Sequence, residues 1–372
     1  MRFREVKFQD PATKTYLGSP SLIRLDDGDV LVSHDYFGPG CPLNHEGEEH
    51  LTSVYRSSDE GETWTNVTHI AGAFWSTLFK HGGCVYLLGT SQQYGSIVIR
   101  RTEDDGNTWT HPGDSSSGLL FRGGPFREPP NYHCAPVPLL GKDGRIYRAF
   151  EDCEPCVWGS GFRSLVISAD EDSDLLDAAS WRMSNKLRYD PAWTPEQWGE
   201  VPVPGWLEGN VVETPASEIC NILRLNSDPV VDKAAVVKVE DEGRRVTFDP
   251  KTGFIHFPGG MTKSTIRRDP ETGTYLTLSN NNTDPAHATQ RNVFSLHASE
   301  DLVHWRHVKT LLEDDSALSH QESIRLTGFQ YADWQFDGDD IIYVVRTAYG
   351  GAHNFHDANR VTFHKLESFR RL

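Results

Sequence analysis

The chain has no apolar run near the roughly 20 residues that a membrane-spanning helix needs, so such a helix is excluded. It is poor in positive charge. Lys and Arg number 36 against 53 Asp and Glu, a formal net charge of −17. A general nucleic-acid binder needs a basic surface to displace counterions, so that class is excluded too. A small anionic ligand is not, because a local arginine cluster can sit on an acidic protein. Long apolar patterns of helical period are missing, so helices are minor. The six cysteines, Cys41, Cys84, Cys134, Cys153, Cys156 and Cys220, are scattered. That spacing does not suit the dense disulfide framework of a small secreted domain, and most are expected to be reduced and buried. The first eight residues carry charge where a leader needs apolar residues. The expectation is a chain without an export signal of its own, cytoplasmic, or secreted if an upstream segment was removed.

Aromatics and turn-formers are plentiful, with 10 Trp, 12 Tyr, 18 Phe, 32 Gly and 21 Pro. This balance suits an all-β protein, and exposed aromatics suit sugar binding. Cys153-Glu-Pro-Cys156 has metal-ligand spacing, but a structural zinc site needs a second such pair in contact. No metal and no cofactor are expected.

Two segments repeat each other, Ser57-Ser-Asp-Glu-Gly-Glu-Thr-Trp64 and Thr102-Glu-Asp-Asp-Gly-Asn-Thr-Trp109. Ser299-Glu-Asp-Leu-Val-His-Trp305 is a degenerate copy, and Ser168 to Trp181 a stretched one. In the two full copies, Asp and Gly build a tight turn and the Trp is free to bury between sheets. Strand–turn–strand patterns precede them, such as Pro20 to Ser33 with its Asp-Asp-Gly turn. Six units emerge, near residues 18–65, 73–109, 132–181, 207–255, 262–305 and 329–365. They are longer than an ordinary blade of roughly 40–50 residues, and loops 38–50 and 182–205 absorb the excess. The repeated segments resemble the Asp-box of sialidase-like β-propellers. The resemblance implies one propeller domain over 1–372, closed by strands near Phe8 and Val361.

In a propeller blade, the start of the innermost strand and the end of its neighbour lie on one face near the axis. Strand ends give His34-Asp35-Tyr36, Glu151-Asp152, Arg224, Asn280-Asn-Asn282 and Arg346. Strand starts give Ser19, Trp75, His133, Glu208-Gly-Asn210 and Tyr331, and the loop after Arg346 adds His353, His356 and Asp357. A core layer would be apolar, so this polar set reads as a ligand site. Two arginines on one face favour a carboxylate-bearing ligand.

The sialidase pattern is incomplete. Its Arg-Ile-Pro motif, source of the first of three carboxylate-binding arginines, is replaced by Tyr16-Leu-Gly-Ser-Pro20. Asp35 lies roughly where the sialidase acid would be. The segments Gly18-Ser-Pro-Ser21, Ser33-His-Asp-Tyr-Phe37, Tyr132-His-Cys-Ala135, Trp206-Leu-Glu-Gly-Asn210 and Arg346 to Asn354 resemble glycoside hydrolase family 145. That family comprises seven-bladed propellers that release α-L-rhamnose from α-1,4-linked glucuronate. The resemblance favours seven blades over the six units counted. It implies His34 as general acid, an imidazole being able to donate a proton near neutral pH. The axial-face set then supplies His133, Glu151, Trp206, Glu208, Arg224, Asn280, Tyr331, Arg346 and His353 as the expected substrate contacts, and the resemblance implies a uronate-containing oligosaccharide or polysaccharide as partner. No nucleic-acid or membrane partner is expected, and the oligomeric state is open. A uronate lyase and a non-catalytic carbohydrate-binding propeller are the alternatives.

Overall fold

The computed structural model describes Met1 and residues 3–372. Six antiparallel sheets follow one another along the chain, and each sequence unit is one blade. From the axis outward, blade I holds strands Tyr16–Leu17 and Ser21–Arg24, Val30–Phe37, Leu51–Ser57 and Thr65–Ala71. Blade II holds Phe74–His81, Cys84–Thr90, Ile97–Thr102 and Leu119–Phe121. Blade III begins with Tyr132–His133 and Leu140–Lys142, continues through Arg145–Cys153 and Phe162–Asp170, and ends in Trp181–Met183 and Leu187–Arg188. Blades IV, V and VI start at Gly205–Glu213, Thr265–Arg268 and Gly328–Asp337. The seventh blade implied by the family 145 resemblance is absent among the described residues; the count of six units was the right one.

The ring closes through the termini. The N-terminal strand Arg4–Phe8 pairs antiparallel with Arg360–Leu366, so blade VI takes its outermost strand from the start of the chain. Closure matters because a blade buries both faces and needs a neighbour on each side. Six apolar clusters fill the six gaps. Blades I and II share Ile23, Leu31, Leu78 and Leu87. Blades VI and I share Ile342, Val344, Val30 and Val32, and the other four gaps are filled alike.

The repeated turns connect third and fourth strands. In the first, Asp59 accepts the Thr63 N–H at 2.9 Å and the Thr63 hydroxyl at 2.6 Å, while the Gly61 N–H donates to Ser57 Oγ at 2.9 Å. Trp64 donates its indole N–H to the Gly61 carbonyl. The second copy repeats every one of these bonds. In the degenerate copy Leu302 occupies the glycine position at φ +68°, and its carbonyl still accepts the Trp305 indole at 3.0 Å. These turns bear on the fold and contribute nothing to the axial pocket.

One departure from regular strand geometry recurs in alternate blades. The innermost strands of blades II, IV and VI slip register between Phe74 and Thr77, Leu207 and Asn210, and Gln330 and Asp333. At each slip one residue takes a left-handed conformation: Trp75 (φ +48°), Glu208 (φ +56°) and Tyr331 (φ +54°). A bulge of this kind re-aims a side chain, and strain at non-glycine residues gathers at functional sites. All three side chains line one pocket at the end of the axis.

Candidate functional site

The axial pocket has a volume of about 160 Å³ and is walled by loops on one face of the ring. Its floor is built around Tyr331. The phenol donates to Glu208 Oε1 at 2.7 Å, and Arg224 donates to Glu208 Oε2 at 2.7 Å and reaches the phenol oxygen at 3.3 Å. Burial pushes the Glu208 carboxyl up, but Arg224, His133 and the Tyr331 hydroxyl outweigh it and hold it below the usual carboxylate range. Burial and Glu208 push the Tyr331 phenol up, against three arginines.

Those arginines are Arg224, Arg291 and Arg346. The last two guanidinium carbons lie 5.8 and 4.9 Å from the Tyr331 ring centroid. Arg291 donates to the Gln330 side chain and Arg346 to the His356 carbonyl. Both are buried, at 4% exposure, and each keeps an Nε–H without a partner. Among the described residues neither has a carboxylate within ion-pair distance, whereas Arg224 is neutralised by Glu208. Two buried, unpaired guanidiniums are costly unless an anion completes them.

Asp35 lies in the wall opposite. Its Oδ2 accepts the Trp75 backbone N–H at 2.9 Å, and its Oδ1 is buried without a protein partner. Burial pushes the carboxyl up to about 6, the Trp75 N–H and Arg346 pulling it back only in part. Gly18 makes this position possible, since a Cβ there would stand 1.8 Å from Asp35 Oδ1. Glu49 adds a second carboxyl to the same wall, anchored by the Gly38 N–H at 2.6 Å and pushed by burial up to about 7. Trp75, Tyr94 and Trp158 supply aromatic wall, and Trp158 lies over the Arg224 guanidinium at 5.4 Å.

The structure brings Glu208, Tyr331, Arg346 and His133 to the pocket, with Arg224 directly beneath. Glu151 stands one layer behind. It accepts the Glu208 backbone N–H and faces His133 Nδ1 at 3.8 Å, so it braces the bulge. Four expectations are corrected. His34 does not line the pocket. Adjacent strand residues point to opposite faces, and with Asp35 at the axis His34 turns into the packing between blades I and VI. There it stacks on Tyr55 and meets the edge of Tyr36, and burial drives its imidazole down to about 4. Trp206 is fully buried among Tyr189, Trp193 and Phe248. Asn280 spends its amide on the Arg291, Val293 and Phe329 carbonyls. His353 is exposed at the rim, hydrogen-bonded to Asp357, and His356 takes the place beside the pocket.

Sequence reasoning placed Asp35 on the right face but passed it over for His34, and it missed Arg291 and Glu49. Arg291 precedes the third strand of blade V, and Glu49 belongs to loop 38–50, so neither is a strand start or end of the kind searched. The polar doublet Arg291-Asn292 ahead of an apolar strand was the one available signal.

No family model matches the chain, and no curated protein matches it in sequence. Solved structures do match. An α-L-arabinanase of Penicillium chrysogenum complexed with arabinobiose aligns at 15% identity and TM-score 0.58, over 100% of this chain and 98% of that one. The GH93 α-L-arabinofuranosidase of Fusarium graminearum with arabinobiose aligns at 14% identity and TM-score 0.58, over 99% and 98%. A Trypanosoma rangeli sialidase in complex with sialic acid aligns at 12% identity and TM-score 0.58, over 94% of this chain and 54% of its own. The chain has the six-bladed, sialidase-like propeller fold. At these identities the likeness carries fold alone, and the chemistry is argued from the site.

Proposed function

We propose that this protein is a retaining glycoside hydrolase acting on a sugar that carries a carboxylate beside its anomeric centre. Tyr331 is the nucleophile, Glu208 its base and Asp35 the acid/base. The observation that carries the reading is the Tyr331 phenol, hydrogen-bonded to the Glu208 carboxylate at 2.7 Å and flanked by the unpaired guanidiniums of Arg291 and Arg346. A carboxylate nucleophile would be repelled by an acidic sugar. A neutral phenol is not, and tyrosine serves this role in sialidases.

In the first step a bond forms between Tyr331 Oη and the anomeric carbon as the glycosidic C–O bond breaks. The phenolic proton passes to Glu208, and Asp35, protonated below about pH 6, gives its proton to the leaving oxygen. In the second step Asp35 takes a proton from water, which attacks the anomeric carbon as the carbon–Tyr331 Oη bond breaks, and Glu208 returns the proton to the released Tyr331 oxygen. Arg291 and Arg346 hold the sugar carboxylate through both steps, with Arg224 keeping Glu208 ionised. The arabinanase and the arabinofuranosidase bind arabinobiose and the sialidase binds sialic acid, which agrees with a sugar ligand. The rhamnosyl-glucuronate expectation rested on the family 145 resemblance, which implied His34 as acid. With that ring turned away from the pocket, an acidic glycan is the part of it that this reading keeps.

The test is a panel of aryl glycosides, acidic (2-keto acid sugars and glucuronides) and neutral (arabinofuranoside, rhamnoside), with a rhamnosyl-glucuronate oligosaccharide beside them. Turnover of an acidic member, with retention at the first-formed anomeric centre by NMR, is expected. Turnover of neutral members alone, or an inverted product, would overturn the proposal.

A further inference from the structure

The Cys153-x-x-Cys156 pair has no part in the chemistry above, yet its loop forms one wall of the pocket. Strand Arg145–Cys153 ends at Cys153, and the chain returns in strand Phe162–Asp170 with Cys153 paired to Phe162. Between them the loop folds tightly on itself. The Val157 N–H donates to the Pro155 carbonyl at 2.7 Å, the Gly161 N–H to the Val157 carbonyl at 2.8 Å and the Glu154 N–H to the Gly161 carbonyl at 3.1 Å. Both sulfurs lie inside this turn, with Cys156 Sγ 3.3 Å from the Cys153 carbonyl and Cys153 Sγ 3.3 Å from the Pro155 carbonyl. Two residues on, Trp158 projects to the pocket and covers Arg224.

All six cysteines are free thiols. Among the described residues no cluster of three or more His, Cys, Asp or Glu side chains that could hold a metal ion surrounds this pair or any other point. The two sulfurs differ in environment. Cys153 is fully buried against Phe162 and Leu207, while Cys156 is partly exposed. The thiols interact directly, which raises Cys153 and lowers Cys156, and Arg127 lowers Cys156 further. A partly exposed thiol of lowered pKa beside a buried partner is the arrangement of an attacking and a resolving cysteine.

We infer that Cys153 and Cys156 form a reversible redox site that exchanges with low-mass disulfides and sets the position of the Trp158 wall. The Cys156 thiolate attacks a small disulfide such as oxidised glutathione, forming a mixed disulfide and releasing one thiolate. The Cys153 sulfur then displaces the second small thiol and loses its proton to solvent. Two protein thiols become one disulfide, and one small disulfide becomes two small thiols, so two electrons leave the protein. The new bond closes a four-residue ring at the root of the loop and draws Cys156 inward, shifting Trp158 on Arg224. The effect on turnover rests on the proposed function; the thiol chemistry does not.

The experiment incubates the full-length protein in reduced-to-oxidised glutathione buffers. Free thiols, the mass of the peptide spanning residues 153 to 156, and tryptophan fluorescence are read, followed by KM on whichever glycoside the panel identifies. Expected are loss of two of the six thiols, an internal disulfide on that peptide, a fluorescence change reversed by dithiothreitol, and a KM shift of several-fold with kcat little changed. Cys153→Ser should trap glutathione on Cys156, and Cys156→Ser should leave Cys153 unreactive. If Cys153→Ser does not fold, Cys156→Ser and wild-type peptide mapping still decide. A pair that stays reduced in oxidising buffer, or oxidation with no change in fluorescence, overturns the inference. A protein with no turnover in either thiol state counts against the proposed function and leaves the thiol readouts to be judged alone.

Discussion

Replacing Tyr331 by Phe removes one oxygen atom from the pocket floor and keeps the ring that Arg291 and Arg346 face. Glu208 loses the 2.7 Å bond from the phenol but keeps Arg224 at 2.7 Å. A hydrogen bond to a charged group is worth about 1.5–3 kcal/mol, so the variant should lose at most that much stability and remain folded. Glu208→Gln is a blunter instrument. It leaves Arg224 buried without a counter-charge, a change that costs about 3–5 kcal/mol in comparable sites. If Tyr331 is the nucleophile, its loss removes the covalent route, and kcat should fall by at least about 10³-fold, equivalent to roughly 4 kcal/mol of barrier. The assay is kcat and KM on the acidic aryl glycoside, joined to trapping with a fluorinated analogue of the same sugar and peptide mass spectrometry. The label should fall on Tyr331 in the wild type and disappear in the variant. Turnover within tenfold of wild type, or a label on Glu208 or Asp35, would refute the nucleophile assignment.

Asp35→Asn should remove the alkaline fall in kcat/KM that an acid with a pKa of about 6 imposes. The same variant tests linkage: the Asp35 carboxyl is raised from 3.8 to about 6, so its native preference for the neutral form is fully present below about pH 4 and lost as pH rises to about 6. Asp35→Asn should match wild type in urea at pH 4 and exceed it by up to about 3 kcal/mol at pH 8; equal midpoints at both pH values would contradict the burial argument. Arg291→Met should raise KM for the acidic substrate about 10–100-fold, the worth of one charged hydrogen bond. Its stability should fall little, because the arginine it removes has no counter-charge, and a KM unchanged by the substitution would place the carboxylate elsewhere. Trp206→Ala should cost about 3–5 kcal/mol by leaving a cavity in the packing of blades III and IV without changing KM. Trp158→Ala should do the reverse, raising KM with unfolding midpoints held within about 0.5 kcal/mol.

Much of the propeller was legible because its signals are local. An Asp and a Gly two residues apart build the Ser57–Trp64 turn from bonds that never leave the segment, so the turn can be recognised wherever the residues recur. Blade count and closure followed from the same units, and the pull toward seven blades came from the family resemblance alone. The face rule also worked where a strand begins or ends at the axis, as at Glu208, Arg224, Tyr331 and Arg346. It failed at His34 and Asp35, where one residue's difference along a strand selects opposite faces. The parity of that strand is set by which side chains pack against blade VI, and Val30, Val32 and Tyr36 share that side with His34.

The decisive feature of the pocket could not be read from the residue order at all. An arginine is present in the sequence whether or not it has a counter-ion. Arg224 is neutralised by Glu208 from the neighbouring strand of its own blade, 16 positions away along the chain, whereas Arg291 and Arg346, which meet no carboxylate within ion-pair distance among the described residues, are placed beside Tyr331 by blades V and VI converging at the axis. The raised carboxyl of Asp35 likewise owes its proton affinity to burial beneath Gly18 and Trp75. Turn chemistry and strand alternation act between neighbours in the chain and are carried by the sequence directly. Charge pairing and desolvation act between neighbours in space, and the neighbours that bury Asp35, Arg291 and Arg346 include residues of other blades, in place only once the ring has closed.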